Sequence, residues 1–176
     1  MLATGLGELT AIAVDASHVY AGTPAPALFA VPVAGGAATA LAVPPTAPVA
    51  IAPSGAVLIV ACASSHGVDT SESDGTLLRV PNDGGPATTL ASSLPGPSAL
   101  ALDGEHAYLA AWGTSKASGV DMQNGELLQV PLAGGPESRV AALDAVTGLA
   151  IDASHFYWSQ TCPSGDECRL IARQPR

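Results

Sequence analysis

The chain has 176 residues, of which 48% are hydrophobic and 12% charged, so we expect one globular domain rather than a disordered chain. Its net charge is −9 and Lys116 is its one lysine, which argues against nucleic-acid or anionic-membrane partners, because both are bound by clusters of basic side chains. The most apolar stretch, residues 47–63, is interrupted by Pro53-Ser54-Gly55 and lacks the roughly 20 uninterrupted residues of a membrane helix, so we expect no membrane insertion.

Two phrases alternate along the chain. The first, Asp-x-x-His-x-Tyr, begins at Asp15, Asp103 and Asp152. The second, Leu-Leu/Phe-x-Val-Pro-x-x-Gly-Gly, contains Pro32, Pro81 and Pro131, which are 49 and 50 residues apart. A fixed period of this length is typical of propeller-type repeats, in which each unit buries its apolar faces against its neighbours.

The phrases divide residues 1–176 into four units of one domain, at 11–48, 49–98, 99–147 and 148–176. Each unit begins with a short apolar run, such as 99–102, which predicts a strand buried on both faces. An Asp turn, a second strand, and a third strand ending at the proline follow. Gly-Gly then predicts a hairpin turn with positive φ and a fourth strand. In the second unit, Pro53-Ser54-Gly55 replaces the Asp turn.

The sequence therefore predicts an all-β fold, a β-propeller of about four blades, each a four-stranded antiparallel sheet. The last unit ends at its third strand, whereas Leu2-Ala3-Thr4 resembles the close of a fourth strand. We therefore expect residues 1–5 to complete the last blade. The alternatives are a closed ring of four units, or an arc completed by a second copy, as a homodimer, or by further sequence.

These phrases, with Thr-Thr-Leu-Ala at residues 88–91, resemble the superfamily of β-propellers with six to eight blades. The most similar repeats are the NHL, low-density-lipoprotein-receptor YWTD-type and TolB-like repeats, and those of secreted bacterial repeat proteins. The resemblance implies the blade architecture but no single activity, since propellers serve as scaffolds, receptors, lyases and lactonases. Four units are fewer than these relatives use.

The repeated turn contains the residue types of a hydrolase triad, as in Asp152, Ser154 and His155. A triad needs one such set converging from separate segments, whereas this set lies in one turn, recurs, and has Glu105 in the serine position of the third unit. We interpret it as a turn Asp with a His that anchors neighbouring backbone. The aromatic residues Tyr157 and Trp158 occupy repeat positions and are predicted to belong to the core.

Three connections between second and third strands are long, at 62–75, 112–125 and 159–168. In a propeller they share one face with the links between blades, so binding residues gather there. The candidates are His66, Asp69, Glu72, Asp74, Trp112, Lys116, Asp121, Asp166 and Glu167. Solvated surface loops are the alternative interpretation. The acidic run from Asp69 to Gly75 fails the EF-hand pattern, so we expect neither a metal site nor a cofactor.

Cys162 and Cys168 are predicted to close a loop as a disulfide, which suits an oxidising compartment, whereas Cys62 reads as a small buried residue. The first residues carry no positive segment and no apolar stretch of signal-peptide length. We therefore expect a secreted or periplasmic protein whose export signal lies elsewhere in a longer parent protein.

Two functions follow from this pattern. The first is a non-enzymatic module that binds a protein or small ligand through its variable loops, with contacts from Trp112, Lys116, Asp69, Asp166 and Glu167. The second is a propeller enzyme of lyase or lactonase type, using His66, Glu72, Asp74 and Asp121. A third interpretation is that the chain is a fragment of a larger propeller and has no separate role.

Overall fold

The computed structural model describes residues 1–63, 74–112, 125–143, 146–160 and 170–176, and within these ranges it contains fifteen β-strands and no helix. The strands form four antiparallel sheets, and within each sheet every strand pairs with the next one along the chain. The predicted all-β fold of about four blades is confirmed.

Each blade is one sheet of consecutive strands. The first consists of β1 (Ala11–Val14), β2 (His18–Thr23), β3 (Ala27–Pro32) and β4 (Thr39–Ala42). The second consists of β5 (Pro48–Ser54), β6 (Val57–Cys62), β7 (Gly75–Pro81) and β8 (Thr88–Leu94). The third consists of β9 (Pro97–Leu102), β10 (His106–Ala111), β11 (Glu126–Pro131) and β12 (Ser138–Ala142). The fourth consists of β13 (Val146–Ile151), β14 (His155–Gln160) and β15 (Leu170–Pro175).

Glycines form the turns that the repeats predict. Gly35 and Gly36 take φ values of 86° and 143° between β3 and β4, a region that residues with a Cβ rarely occupy. Gly55 takes φ of 61° in the turn between β5 and β6, where the second blade lacks the Asp of the other blades. Backbone freedom at glycine thus keeps this turn where the Asp side chain is absent.

The core lies between blades rather than within them. Tyr20, Leu28 and Leu58 belong to the apolar cluster that joins the first and second blades. A second cluster joins the second and third blades, and a third cluster joins the third and fourth. Since successive side chains of a strand point to opposite faces, each blade needs a neighbour on both sides to cover it.

The first strand of the first blade is not buried on both faces, contrary to the prediction. β1 alternates between half-buried and exposed residues, with Ile12 69% and Val14 63% exposed. The half-buried residues of the strand, Ala11 and Ala13, pack against the cluster shared with the second blade. The uncovered side of β1 faces away from that blade.

The prediction that residues 1–5 complete the last blade is wrong. Residues 1–10 form no strand, and the fourth sheet consists of β13, β14 and β15 in the part of the chain that is described. Gly5 and Gly7 take φ values of 79° and 76°, which interrupt an extended strand. Residues 1–4 instead line a cavity of about 340 Å³ with residues 36–38 of the first blade.

No helix in the described ranges is long and apolar enough to cross a bilayer.

Candidate functional site

The blades present two faces of different character. The turns between first and second strands and between third and fourth strands lie together on what we call the turn face. The described ends of the connections between second and third strands, and of the links between blades, lie at the opposite ends of the strands, on what we call the loop face. This arrangement follows from four consecutive antiparallel strands per blade.

An Asp carboxylate organises the β1–β2 turn. Asp15 Oδ1 accepts hydrogen bonds from the backbone N–H groups of Ser17 and His18 at 2.7 and 2.8 Å. Its other oxygen, Oδ2, accepts one from the Tyr20 hydroxyl at 2.7 Å. Because Tyr20 is fully buried, the carboxylate ties the turn to the core. The turn role predicted for Asp is confirmed, and the Tyr partner is a finding of the structure.

The same arrangement recurs in the third and fourth blades. The Tyr108 hydroxyl donates to Asp103 Oδ2 at 2.8 Å, and the Tyr157 hydroxyl donates to Asp152 Oδ2 at 2.7 Å. Both Asp residues also accept hydrogen bonds from the backbone N–H groups of the residues two and three positions after them. We call these three arrangements the Asp–Tyr staples.

The staples shift the pKa values of their members. The Tyr20 hydroxyl and the backbone N–H groups of the turn hold the pKa of Asp15 well below its usual range, because they stabilise the charged carboxylate. Burial, and then the hydrogen bond to Asp15, raises the pKa of Tyr20 to about 12. At Asp103, burial opposes the shift, yet the hydrogen bond from Tyr108 and those from the backbone lower its pKa to about 2.

The Ser and His of the turn are not arranged for nucleophilic catalysis. Ser154 Oγ lies 2.9 Å from Asp152 Oδ1 and 2.7 Å from His155 Nδ1, so the serine stands between the other two. A triad places the base between the acid and the nucleophile. The imidazole Nδ1 contacts the serine hydroxyl, and an anchoring of backbone by the imidazole stays a prediction. The cluster is structural, as the repeats indicate.

The third blade's staple has an additional partner, Arg176. Its Nη2 donates to the Tyr108 hydroxyl at 3.0 Å and to Asp103, and its Nη1 donates to the Asp152 carbonyl at 3.0 Å. The guanidinium carbon lies 5.2 Å from the centre of the Tyr108 ring, within cation–π range. Sequence reasoning missed this contact, because the equivalent residues of the other blades are not arginine.

On the loop face, hydroxyl groups tie adjacent blades together. Thr10 Oγ1 donates to the Pro48 carbonyl at 2.6 Å, which joins the first blade to the second. Ser98 Oγ lies 3.0 Å from the Val146 carbonyl, which joins the third blade to the fourth. These bonds fix the spacing of the first strands of the blades, β1, β5, β9 and β13, which pack in series and which we call the inner strands.

The two described members of the predicted loop-face set lie at the ends of long connections. Trp112 follows β10, is half-buried, and donates its backbone N–H to the Gly96 carbonyl at 2.9 Å. Asp74 directly precedes β7. The remaining candidates lie outside the described residues, as do the two cysteines of the predicted disulfide: His66, Asp69, Glu72, Lys116, Asp121, Cys162, Asp166, Glu167 and Cys168.

Two of the long connections return to the sheet through glycine. A Cβ at Gly75 would lie 2.5 Å from Pro97 Cδ, and one at Gly125 would lie 2.3 Å from the Leu143 carbonyl oxygen. Neither position has room for a side chain. The ends of these connections are therefore held close to the link that leads into the next blade.

Several solved structures are similar to this chain. The computationally designed Ika4 protein is 12% identical, with a TM-score of 0.67 over 99% of this chain and 95% of that one. A chain of the nidogen/laminin complex is 18% identical, with a TM-score of 0.68 over 86% of this chain and 56% of that one. Tricorn protease is 14% identical, with a TM-score of 0.61 over 92% of this chain and 14% of that one. No family model and no curated protein matches.

At these identities the likeness establishes the fold alone. Together with the repeated antiparallel sheets, it identifies the chain as a repeat protein with a β-propeller fold. Membership of the NHL, YWTD-type or TolB-like repeats stays a prediction.

Proposed function

We propose that this protein is a non-enzymatic module that binds a protein or a small ligand through its loop face. The observation that supports this most is the difference between the two faces. On the turn face, three blades repeat one staple whose carboxylate oxygens already accept hydrogen bonds. On the loop face, the connections differ from blade to blade, from residues 24–26 in the first blade to 63–74 in the second.

A repeated structure serves the scaffold, whereas non-repeated loops on a rigid scaffold are where binding residues concentrate. The inner strands supply rigidity, because Thr10 and Ser98 tie neighbouring blades on this face. Trp112 stands at the start of one connection, where an aromatic ring can serve as a contact surface. Its half-buried position leaves part of the residue exposed to solvent.

The other proposed contacts are Lys116, Asp69, Asp166 and Glu167. Three of these four side chains are acidic, and the chain as a whole carries a net charge of −9. Opposite charges attract across an interface, so a ligand with amine, guanidinium or other donor groups fits better than a polyanion. The proposed ligand class is a neutral or cationic peptide or small molecule.

The experiment is a thermal-shift screen of the purified protein against panels of amines, amino acids, sugars and short basic peptides. Each hit is then measured by titration calorimetry against three variants. Trp112→Ala and the double change Asp166→Ala with Glu167→Ala alter the loop face. Glu137→Ala is the matched control, because Glu137 is an exposed residue on the turn face.

We expect at least about a tenfold loss of affinity in the loop-face variants, as for removal of a contact worth about 1.4 kcal/mol, and no change in the control. A ligand whose affinity is indifferent to every loop-face change but sensitive to Glu137→Ala would contradict the proposal. Turnover of a hit that His66→Ala abolishes would instead favour the enzyme.

A further inference from the structure

Four blades in this chain share three interfaces. The inner strands β1 and β5, β5 and β9, and β9 and β13 pack in series, whereas β1 and β13 do not form a fourth interface of this kind among the described residues. The three apolar clusters correspond to the same three junctions. The described residues therefore form an open arc with two terminal faces, and we call them the leading face of the first blade and the trailing face of the fourth.

Apolar residues of the leading face are more exposed than their apolar counterparts in later blades. Ile12 pairs with the fourth residue of β2, as Ile51 pairs with the fourth residue of β6. Ile51 is 9% exposed because the first blade covers it, whereas Ile12 is 69% exposed. The residue after the third-strand proline shows the same contrast in exposure: Leu132 of the third blade is 7% exposed, whereas Val33 of the first blade is 42% exposed.

The trailing face shows the same contrast. Ile171 in β15 occupies the position of Leu28, Leu77 and Leu127, as their pairing with the second strands shows. Those three leucines are at most 1% exposed, because the following blade covers them, whereas Ile171 is 80% exposed. Tyr157, equivalent to the buried Tyr20, is only half-buried.

Polar groups at the two faces are also complementary. Thr147 occupies the position of Thr10 and Ser98 in their blades, directly before the inner-strand residue that pairs with the fifth residue of the second strand. Those two hydroxyls contact a carbonyl of the next blade, whereas the exposed Thr147 hydroxyl contacts Ser159 of its own blade. The carbonyl that would match it belongs to Leu9, the counterpart of Val146.

A second polar match involves an arginine. Arg79 of the second blade donates to the Leu132 carbonyl of the third blade. Arg173 occupies the position of Arg79 in the fourth blade and is exposed. The counterpart of Leu132 in the first blade is Val33. The arginine of the trailing face therefore has its matching acceptor on the leading face.

We propose that the trailing face docks on the leading face of a second copy of this chain, so that two arcs close head to tail into one ring of eight blades. The occupant is a second copy because the two faces are complementary. Both carry exposed apolar side chains. The Thr147 hydroxyl and the Arg173 guanidinium of the trailing face are matched by the Leu9 and Val33 carbonyls of the leading face. The contact continues the pattern of the three internal junctions. It is heterologous, and two-fold closure uses both faces of both copies.

The mass in solution tests this directly, by sedimentation equilibrium over a range of concentrations. We expect a dimer of about twice 17.3 kDa. A monomer at every concentration would overturn the proposal, because the terminal faces would then be stable when exposed or belong to another partner. Open-ended polymers that grow with concentration would overturn the two-copy ring.

Substitutions then identify the faces. Ile12→Asp and Ile171→Arg should each raise the dimer dissociation constant at least about a hundredfold, since each places a charge in an apolar interface, while both leave the fold intact as judged by circular dichroism. Val43→Asp is the control, because Val43 is 84% exposed and lies in the link between β4 and β5. A dimer that neither end-face variant weakens would refute the assignment.

Mixing the two variants distinguishes head-to-tail docking from any symmetric contact. A pair of one Ile12→Asp copy and one Ile171→Arg copy has one unaltered junction and one junction with opposite charges facing each other. We expect the mixture to form dimers although each variant alone is monomeric. A mixture that stays monomeric would overturn head-to-tail closure.

Discussion

Replacing Tyr108 with Phe removes one hydroxyl from the third blade's staple and keeps the ring. That hydroxyl donates to Asp103 at 2.8 Å and accepts from Arg176 at 3.0 Å. The edge-on contact of the Tyr108 ring with Phe156, at 4.9 Å between ring centres, is unaffected by the change. The variant therefore isolates two hydrogen bonds, one within the third blade, to Asp103, and one that joins the third blade to the fourth, from Arg176.

The expected cost follows from burial and charge. Tyr108 is 4% exposed and both hydrogen-bond partners are charged, a setting in which one hydrogen bond contributes about 1.5–3 kcal/mol. Asp103 keeps two backbone N–H donors, so we expect a total loss of about 2–3 kcal/mol rather than twice the value of one bond. For a chain of this size the melting temperature should fall by about 4–12 °C.

Urea unfolding of wild type, Tyr108→Phe, Asp103→Asn and the double variant measures this cost. Because the hydroxyl and the carboxylate form a hydrogen bond with each other, the sum of the stability losses in the two single variants should exceed the loss in the double variant. Strict additivity, or a loss below about 0.5 kcal/mol in Tyr108→Phe, would refute the reasoning.

The pH dependence supplies a second check. The folded pKa of Asp103 is lowered from 3.8 to about 2, so its contribution is present above 3.8 and is lost as the pH falls through about 2. The stability difference between wild type and Tyr108→Phe should therefore shrink between pH 4 and pH 2. A difference that stays constant over this range would show that the carboxylate is not involved.

Three further predictions concern other parts of the molecule. Leu77→Ala should destabilise the fold by about 2–5 kcal/mol in denaturant unfolding, because the side chain is fully buried between the second and third blades. Burial and the Asp–Tyr bond raise the pKa of Tyr20 from 10.0 to about 12, so stability should be lost as the pH rises from 10 through 12. Tyr20→Phe should show a shallower alkaline decline in melting temperature. Burial raises the pKa of Cys62 to about 11, so its thiol should not react with Ellman's reagent in the folded protein at pH 8. Since Cys162 and Cys168 are predicted to be paired, the folded protein should show no reactive thiol. One thiol should react in denaturant without reductant, whereas three would contradict the predicted bond between Cys162 and Cys168.

The repeats predicted the local structure because each signal acts over a few residues. The Asp turn, the proline at the strand end and the Gly-Gly hairpin each determine backbone conformation without reference to distant parts of the chain. Gly35 and Gly36 and the carboxylate of Asp15 behave accordingly in the structure. The number of strands per blade follows from these signals alone.

Contacts between segments could not be predicted in the same way. The bond from Tyr20 to Asp15 depends on the register of β1 against β2, and the position of Arg176 depends on how the fourth blade packs on the third. The open arc depends on the angle between blades, which sums many packing contacts. The predicted completion by residues 1–5 failed because strand-like composition does not overcome Gly5 and Gly7.

Within each sheet, every strand pairs with a strand adjacent in sequence, which has a consequence for synthesis. The first blade holds all of its backbone partners once Ala42 has left the ribosome, so its sheet can form while the remainder is still being translated. Each later blade can then pack against the apolar face of the blade that precedes it. Tandem duplication of a gene segment encoding one blade would lengthen such a protein without altering the contacts inside the blades it already has.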